Sequence, residues 1–120
     1  MAEHIDTGKQ GEAIAEAYLV RKGYNILERN WYNVHQEIDI IAEKNGELII
    51  VEVKCRSEHP VVEPQLAVNR KKQKMLILAA NNYIQQNELD MDTRFDVITV
   101  ILGKNVKTFH IKNAFYPIVR

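Results

Sequence analysis

The stretch Glu37-Ile38-Asp39-Ile40-Ile41-Ala42-Glu43-Lys44-Asn45-Gly46-Glu47-Leu48-Ile49-Ile50-Val51-Glu52-Val53-Lys54 decides the fold. Asn45-Gly46 suits the positive φ angles of a type I′ turn, and two runs rich in β-branched residues flank it, so the segment reads as a β-hairpin. Folding about that pair fixes the register. Lys44 faces Glu47, Ala42 faces Ile49, Ile40 faces Val51, Asp39 faces Glu52 and Glu37 faces Lys54. Strand side chains alternate between faces, so Ile38, Ile40, Ala42, Ile49, Val51 and Val53 are expected on one apolar face. The other face is apolar near the turn, at Ile41, Leu48 and Ile50. It becomes polar at the far end, at Glu37, Asp39, Glu52 and Lys54.

Upstream, Thr7 and Gln10 have the spacing of a capping box, and Ile14, Ala17 and Tyr18 recur at helical intervals until Gly23 supplies a stop. The first turns of this helix hold Gly8, Gly11 and Glu12, leaving bare backbone and a carboxylate near the positive end of the helix dipole. Tyr24 to Arg29 reads as a strand, followed by a polar connection through Asn30, Trp31 and Asn33. Downstream of the hairpin, Asn69 is positioned as the N-cap of a helix running to about Asn87, with Leu76, Ala79, Ala80, Tyr83 and Ile84 as its apolar stripe. Arg94 to Leu102 and Val106 to Ile111 supply two more strands around Gly103-Lys104-Asn105. The order αβββαββ predicts an α/β domain, a central mixed five-stranded sheet flanked by helices, with the second helix long enough for a parallel crossover.

Composition bounds the remaining possibilities. The chain has 120 residues, 46% of them apolar and 27% charged, which suits one ordinary domain over residues 1–120. Its single cysteine, Cys55, excludes a disulfide-stapled scaffold and a Cys-rich zinc module, so a reducing compartment, the cytoplasm by default, is expected. The segment Met1 to Gln10 is too polar for a signal peptide, and no apolar stretch is long enough to span a bilayer. No membrane partner is expected. Sixteen basic and sixteen acidic side chains balance to zero formal charge, which argues only against indiscriminate polyanion binding.

The hairpin register places Asp39 opposite Glu52. Two carboxylates about 5 Å apart repel by roughly 3 kcal/mol at an effective dielectric of 20. Protonation of one, a nearby cation or a bound divalent metal would each relieve that. Oxygen ligands in a partly buried pocket suit Mg²⁺ or Mn²⁺ rather than zinc. Lys54, two residues beyond Glu52 on the same face, adds an ammonium able to orient or help deprotonate a water aimed at a phosphate, or to stabilise phosphoryl charge. A Glu-x-Lys on a solvated strand is common by itself, and Glu37 with Lys54 could form an ordinary salt bridge. The opposition of Asp39 to Glu52 is what raises the catalytic reading.

Asp39 followed by Glu52-Val53-Lys54 resembles the PD-(D/E)xK signature of restriction-endonuclease-like nucleases, a group that includes archaeal Holliday-junction resolvases. More narrowly, Gly8-x-x-Gly11-Glu12, Asn30-Trp31, Glu37-Ile38-Asp39-Ile40-Ile41, Val51-Glu52-Val53-Lys54, Lys72-Gln73 and Arg94-Phe95-Asp96 together resemble the YraN-like family of uncharacterised bacterial proteins, over nearly the whole chain. The resemblance implies a restriction-endonuclease-like α/β/α domain. It also implies Glu12, Asp39 and Glu52 around Mg²⁺, with Mn²⁺ as a substitute, and Asp39, Glu52 and Lys54 as the catalytic set. Gln73 stands where some relatives place a helical glutamine near the site and is an additional candidate. Two positions depart from the patterns. Ile38 replaces the proline that names the larger group, and Gln36 stands where the narrower family usually has glycine; neither change removes a functional group.

Arg70, Lys71, Lys72 and Lys74 are expected to track a phosphate backbone, with Arg56 and Arg29 extending the patch toward the site. Trp31 and Tyr32 read as packing rather than as a base-stacking platform. His4, His35, His59 and His110 lack metal-ligand spacing and read as surface or loop residues. Cys55 reads as a small strand-end residue, and Met75, Leu76 and Tyr83 as core. The expectation is a Mg²⁺-dependent endonuclease-like protein hydrolysing phosphodiester bonds in DNA, including branched or structured DNA. The alternative is a non-catalytic nucleic-acid-binding or complex-assembly module that retains the fold. A homodimer would help so small a domain to grip both DNA strands, although no interface is legible.

Overall fold

In the computed structural model, which describes residues 7–57 and 68–117, the order is α1 (Thr7–Arg21), β1 (Asn25–Asn33), β2 (Gln36–Lys44), β3 (Glu47–Ser57), α2 (Arg70–Gln86), β4 (Asp92–Leu102) and β5 (Lys107–Phe115). The strands form one sheet in sequence order, β1-β2-β3-β4-β5. Only β3 and β4 run parallel, with α2 carrying the chain between them. The expected mixed α/β sheet and the order αβββαββ are observed.

The hairpin forms because Asn45 and Gly46 take φ angles of 54° and 79°, the combination that matches the twist of the paired strands. Observed pairs run Lys44–Glu47, Glu43–Leu48, Ala42–Ile49, Ile41–Ile50 and Ile40–Val51, as read from the turn. There the β2–β3 pairing ends. The expected direct oppositions of Asp39 to Glu52 and of Glu37 to Lys54 do not form. On the other side of β2, pairing with β1 passes from Arg29–Ile40 to Trp31–Ile38, and Asn30 between them has φ 49°. Strand β2 therefore twists at Asp39. The consequence is that Ile38 packs with Ile41 on one face while Ile40 packs with Ala42 on the other, so simple alternation misassigned Ile38.

The sheet is covered on both sides. Helix α2 lays Leu76, Ala79, Ala80 and Tyr83 against Ile38, Ile41, Leu48, Ile50, Phe95, Val97 and Phe115. Helix α1 lays Ala15, Leu19 and the following Tyr24 against Ile40, Ala42, Ile49, Val51, Ile98 and Val100. The centre of the α1 stripe is Gly11, Ala15 and Leu19, all buried, whereas Ala17 is exposed. Ile14 and Tyr18 flank the stripe. Central strands buried on both faces read as continuous apolar runs, as Leu48 to Val51 do.

The helix ends follow their sequence signals. Gly23, at φ 90°, ends α1 in a Schellman motif, with Tyr24 N–H donating to Leu19 O at 3.0 Å and Gly23 N–H to Val20 O at 3.0 Å. Asn69 caps α2, its side-chain oxygen accepting from Lys72 N–H at 2.8 Å. Helix α1 already includes Thr7, one residue earlier than a Thr7 cap requires, and the position before it lies outside the described residues. Two strands, β1 and β5, run four residues beyond their expected ends at Arg29 and Ile111. β1 continues through Trp31 to Asn33, because Trp31 packs edge-on against Tyr83 at 5.4 Å between ring centroids. β5 continues to Phe115, which stacks on Phe95 at 5.0 Å.

Candidate functional site

The end of the β2–β3 pairing creates the site. With no backbone partner beyond Ile40–Val51, the side chain of Asp39 turns in and its Oδ2 accepts the N–H of Val53 at 2.8 Å. A carboxylate thus takes the place of a ladder carbonyl. Burial and the negative charge of Glu52 push the Asp39 carboxyl up to about 7 from an ordinary 3.8. Glu12 adds to the rise, while the Val53 amide and the positive charge of Lys72 oppose it. Among the described residues no Lys or Arg lies within 4 Å of Asp39.

Glu52 is buried, on the sheet face covered by α2. Its Oε2 is approached by two ammonium groups, Lys54 Nζ at 3.5 Å and Lys72 Nζ at 3.5 Å. Lys54 is placed by the two-residue repeat of β3, and it pairs with Glu52 rather than with Glu37. Lys72 arrives from α2. It lies four residues before Leu76 and so continues the sheet-facing stripe of Leu76, Ala79, Ala80 and Tyr83, whereas Arg70, Lys71 and Lys74 are exposed. The sequence reading grouped Lys72 with those three. Extending the apolar stripe back by one turn would have singled it out.

Glu12 comes from the opposite face of the sheet. Gly11 seats α1 on β3 at Cys55, and the next residue, Glu12, is near enough for its charge to act on Asp39. Asp39 therefore sits electrically between Glu12 and Glu52. Among the described residues no group of three or more His, Cys, Asp or Glu side chains is arranged to hold a metal ion, so a ready-made three-carboxylate cage is not formed. Carboxylate oxygens nevertheless suit Mg²⁺, which is commonly bound through one or two carboxylates plus waters and substrate phosphates, and here it would have to compete with the two lysines that balance Glu52. Asp39 and Glu52 are the residues that could hold it, while Glu12 is linked to them by the effect of its charge on Asp39.

The remaining candidates divide. Gln73 donates from its side-chain amide to Val68 O at 2.9 Å, tying down the residue that precedes the α2 cap. Arg29 forms a two-pronged pair with Glu16 of α1, both contacts at 2.6 Å, and so does not extend the basic patch freely. Arg56 is exposed at the end of β3. Trp31 packs as expected, while Tyr32 is exposed. Cys55 lies beneath Gly11, where burial pushes its thiol above the ordinary range against a hydrogen bond from the Gly11 backbone.

Among the histidines, His35 occupies the exposed β1–β2 turn, and His4 and His59 lie outside the described residues. His110 corrects the surface reading. Its side chain is buried, with Nε2 2.7 Å from Asp96 Oδ2 and Nδ1 3.0 Å from Tyr18 Oη. Asp96 also accepts two hydrogen bonds from Arg94, at 2.9 and 2.8 Å, and one from the Asn113 amide at 3.1 Å. Arg94 donates onward to Tyr24 Oη at 2.8 Å. Burial works against the Asp96 charge, but these donors together hold its carboxyl below the ordinary range. The network joins α1, β4 and β5. The Arg94-x-Asp96 spacing, which puts both side chains on one strand face, was its sequence signal.

Comparison with known proteins places this arrangement in a family. The profile of the uncharacterised protein family UPF0102 matches residues 11–100. The chain belongs to that family. A UPF0102 protein of Bacteroides fragilis is 52% identical over 119 residues, covering 98% of each chain. One of Parabacteroides distasonis is 46% identical over 117 residues and 97% of each chain, and one of Flavobacterium psychrophilum is 47% identical over 117 residues. UPF0102 is the YraN family that the sequence motifs resemble. The matched segment takes in Glu12, Asp39, Glu52, Lys54 and Lys72. Among the described residues no helix is long and apolar enough to cross a membrane.

Proposed function

We propose that the protein is a Mg²⁺-dependent, endonuclease-like phosphodiester hydrolase acting on DNA. The observation that carries this reading is Asp39, turned into the open end of the hairpin with its carboxyl pushed up to about 7, beside buried Glu52 and its neighbour Lys54. Buried carboxylates raised by like charge are costly to a fold and recur where catalysis needs them. Asp39 and Glu52 would hold Mg²⁺, which would supply Lewis-acid stabilisation of phosphoryl charge when bound.

The chain's own groups account for the rest. Lys54, fixed against Glu52, presents an ammonium to a phosphate oxygen and orients the attacking water. Arg70, Lys71 and Lys74, exposed at the start of α2, contact backbone phosphates, with Arg56 at the end of β3. Zero net charge favours a substrate recognised by local shape, such as branched DNA, over indiscriminate duplex binding.

Cleavage assays on duplex, flap and four-way DNA with Mg²⁺ or Mn²⁺ test the proposal. Wild-type cleavage that is abolished in Asp39→Ala is expected. Equal background from both proteins on every substrate sinks the enzymatic reading. A second reading, a binding or assembly module without turnover, draws on the occupation of Glu52 by two lysines and the absence of a preformed three-ligand group among the described residues. It predicts DNA binding that survives Glu52→Gln but is lost when Lys71 and Lys74 become Glu.

A further inference from the structure

Lys72 stands out among the basic residues of α2. A lysine on the sheet-facing stripe of a helix occupies a position that the fold ordinarily fills with an apolar side chain. Its side chain is partly exposed, and its ammonium reaches in toward a buried carboxylate. The pairing is with Glu52 Oε2 at 3.5 Å, the same oxygen that Lys54 approaches at 3.5 Å. One buried carboxylate therefore has two cations, although its own strand already supplies one.

The two lysines differ in how they reach it. Lys54 projects from the same strand as Glu52, whereas Lys72 reaches the carboxylate across the gap from α2. Lys72 thus occupies, at Glu52 Oε2, space that a divalent cation held by that carboxylate would take. Lys54 is tethered on β3 to one side. A dication and an ammonium in the same space would repel strongly, so only one can occupy it.

We propose that Lys72 is an internal counter-ion of the site, holding Glu52 in the metal-free protein and being displaced when a divalent cation binds. The inference rests on the metal-dependent reading above and adds a regulatory element to it. The metal-free protein is neutralised by its own helix, and cation binding is a competition rather than the filling of an empty seat. The competition lowers apparent metal affinity by the strength of the displaced pair. For a partly exposed ion pair near the upper end of the usual range, that is about fivefold.

Calorimetric titration of Mn²⁺ alone into wild type, Lys72→Met, Lys72→Arg and Lys74→Met tests it, without DNA or turnover. Lys72→Met is expected to bind Mn²⁺ about fivefold more tightly than wild type, whereas Lys72→Arg, which keeps the charge, stays within about twofold. Lys74→Met removes the same charge from the exposed face of the same helix and is also expected to stay within about twofold. Equal affinity of wild type and Lys72→Met overturns the exchange alone. Equal tightening by Lys72→Met and Lys74→Met also overturns it, because bulk charge would then be the cause. Failure of every variant and of wild type to bind Mn²⁺ overturns the metal reading itself and the exchange with it. Should Lys72→Met not fold, Lys72→Gln takes its place against the same controls.

Discussion

A Cβ built on Gly11 would stand 2.6 Å from the Cβ and 2.8 Å from the Sγ of Cys55, so α1 meets β3 at a distance that only glycine permits. The same contact positions the adjoining Glu12, whose charge acts on Asp39. Replacing Gly11 with Ala improves helix propensity by roughly 1 kcal/mol but forces the helix off the strand. We expect a net loss of about 1–3 kcal/mol in urea unfolding. Cys55→Gly should recover part of it in a double-mutant cycle, and strictly additive effects would refute the steric account.

Glu88 plays for α2 the part that Gly23 plays for α1, with φ 52°, Leu89 N–H donating to Ile84 O at 3.0 Å and Glu88 N–H to Gln85 O at 3.3 Å. A side chain with a Cβ pays a steric penalty in that left-handed conformation that glycine does not. Glu88→Gly is therefore expected to raise stability by about 0.5–1 kcal/mol despite the greater entropy of the unfolded glycine chain. Thermal unfolding measures it. An unchanged or lower melting temperature would mean that the Glu side chain has a compensating role.

How much of this was legible depended on whether a residue answers to a local rule. Asn45-Gly46 set five strand pairs, and Asn69 set the start of α2, because turn and cap chemistry act within four residues. The reading of Asp39, Glu52 and Glu12 as one site rested on resemblance, and that of Asp39 opposite Glu52 on a register that ends one pair too early. Alternation cannot foresee that Asp39 satisfies Val53 N–H with its side chain and breaks the period at Ile38. Nor could spacing reveal that Lys72 points inward unless the helix stripe was extended past its apolar members. The Asp96 network went unread for another reason. His110 looked isolated because its partners are on two other elements, α1 and β4, and sequence separation hides what β4–β5 pairing brings together.

That network is expected to be structural and costly to break. Asp96 has no exposed side-chain surface and Arg94 very little, so Asp96→Ala leaves a guanidinium and an imidazole without their shared acceptor. We expect a loss of about 3–5 kcal/mol. Arg94→Met combined with Asp96→Leu should recover much of it, since apolar residues of similar volume can replace a buried pair. The carboxyl is held below its ordinary 3.8, so its contribution is present above about pH 4 and is lost as the pH falls further. Chemical denaturation from pH 6 to pH 2 reads this, with the acid-side slope reduced in the double variant.

Asp39 carries the opposite sign. Its carboxyl is raised to about 7 from 3.8, so the folded protein binds the proton more tightly than the unfolded chain. Below about pH 4 both states are protonated and nothing is lost. As the pH rises from 4 to 7 the unfolded chain ionises first, stability falls, and above 7 the loss is complete. Asn at this position keeps an oxygen for Val53 N–H and never ionises. Asp39→Asn is therefore expected to exceed wild type by roughly 1–3 kcal/mol at pH 8, after allowance for solvent screening, and to match it at pH 4. Added Mg²⁺ or Mn²⁺ at pH 8 should close the gap by stabilising wild type, because a ligand that binds only the folded state raises its apparent stability. A gap that is independent of pH would show that the charge on Asp39 is not its cause. A gap that depends on pH but not on metal would separate the electrostatic strain at Asp39 from the use proposed for it.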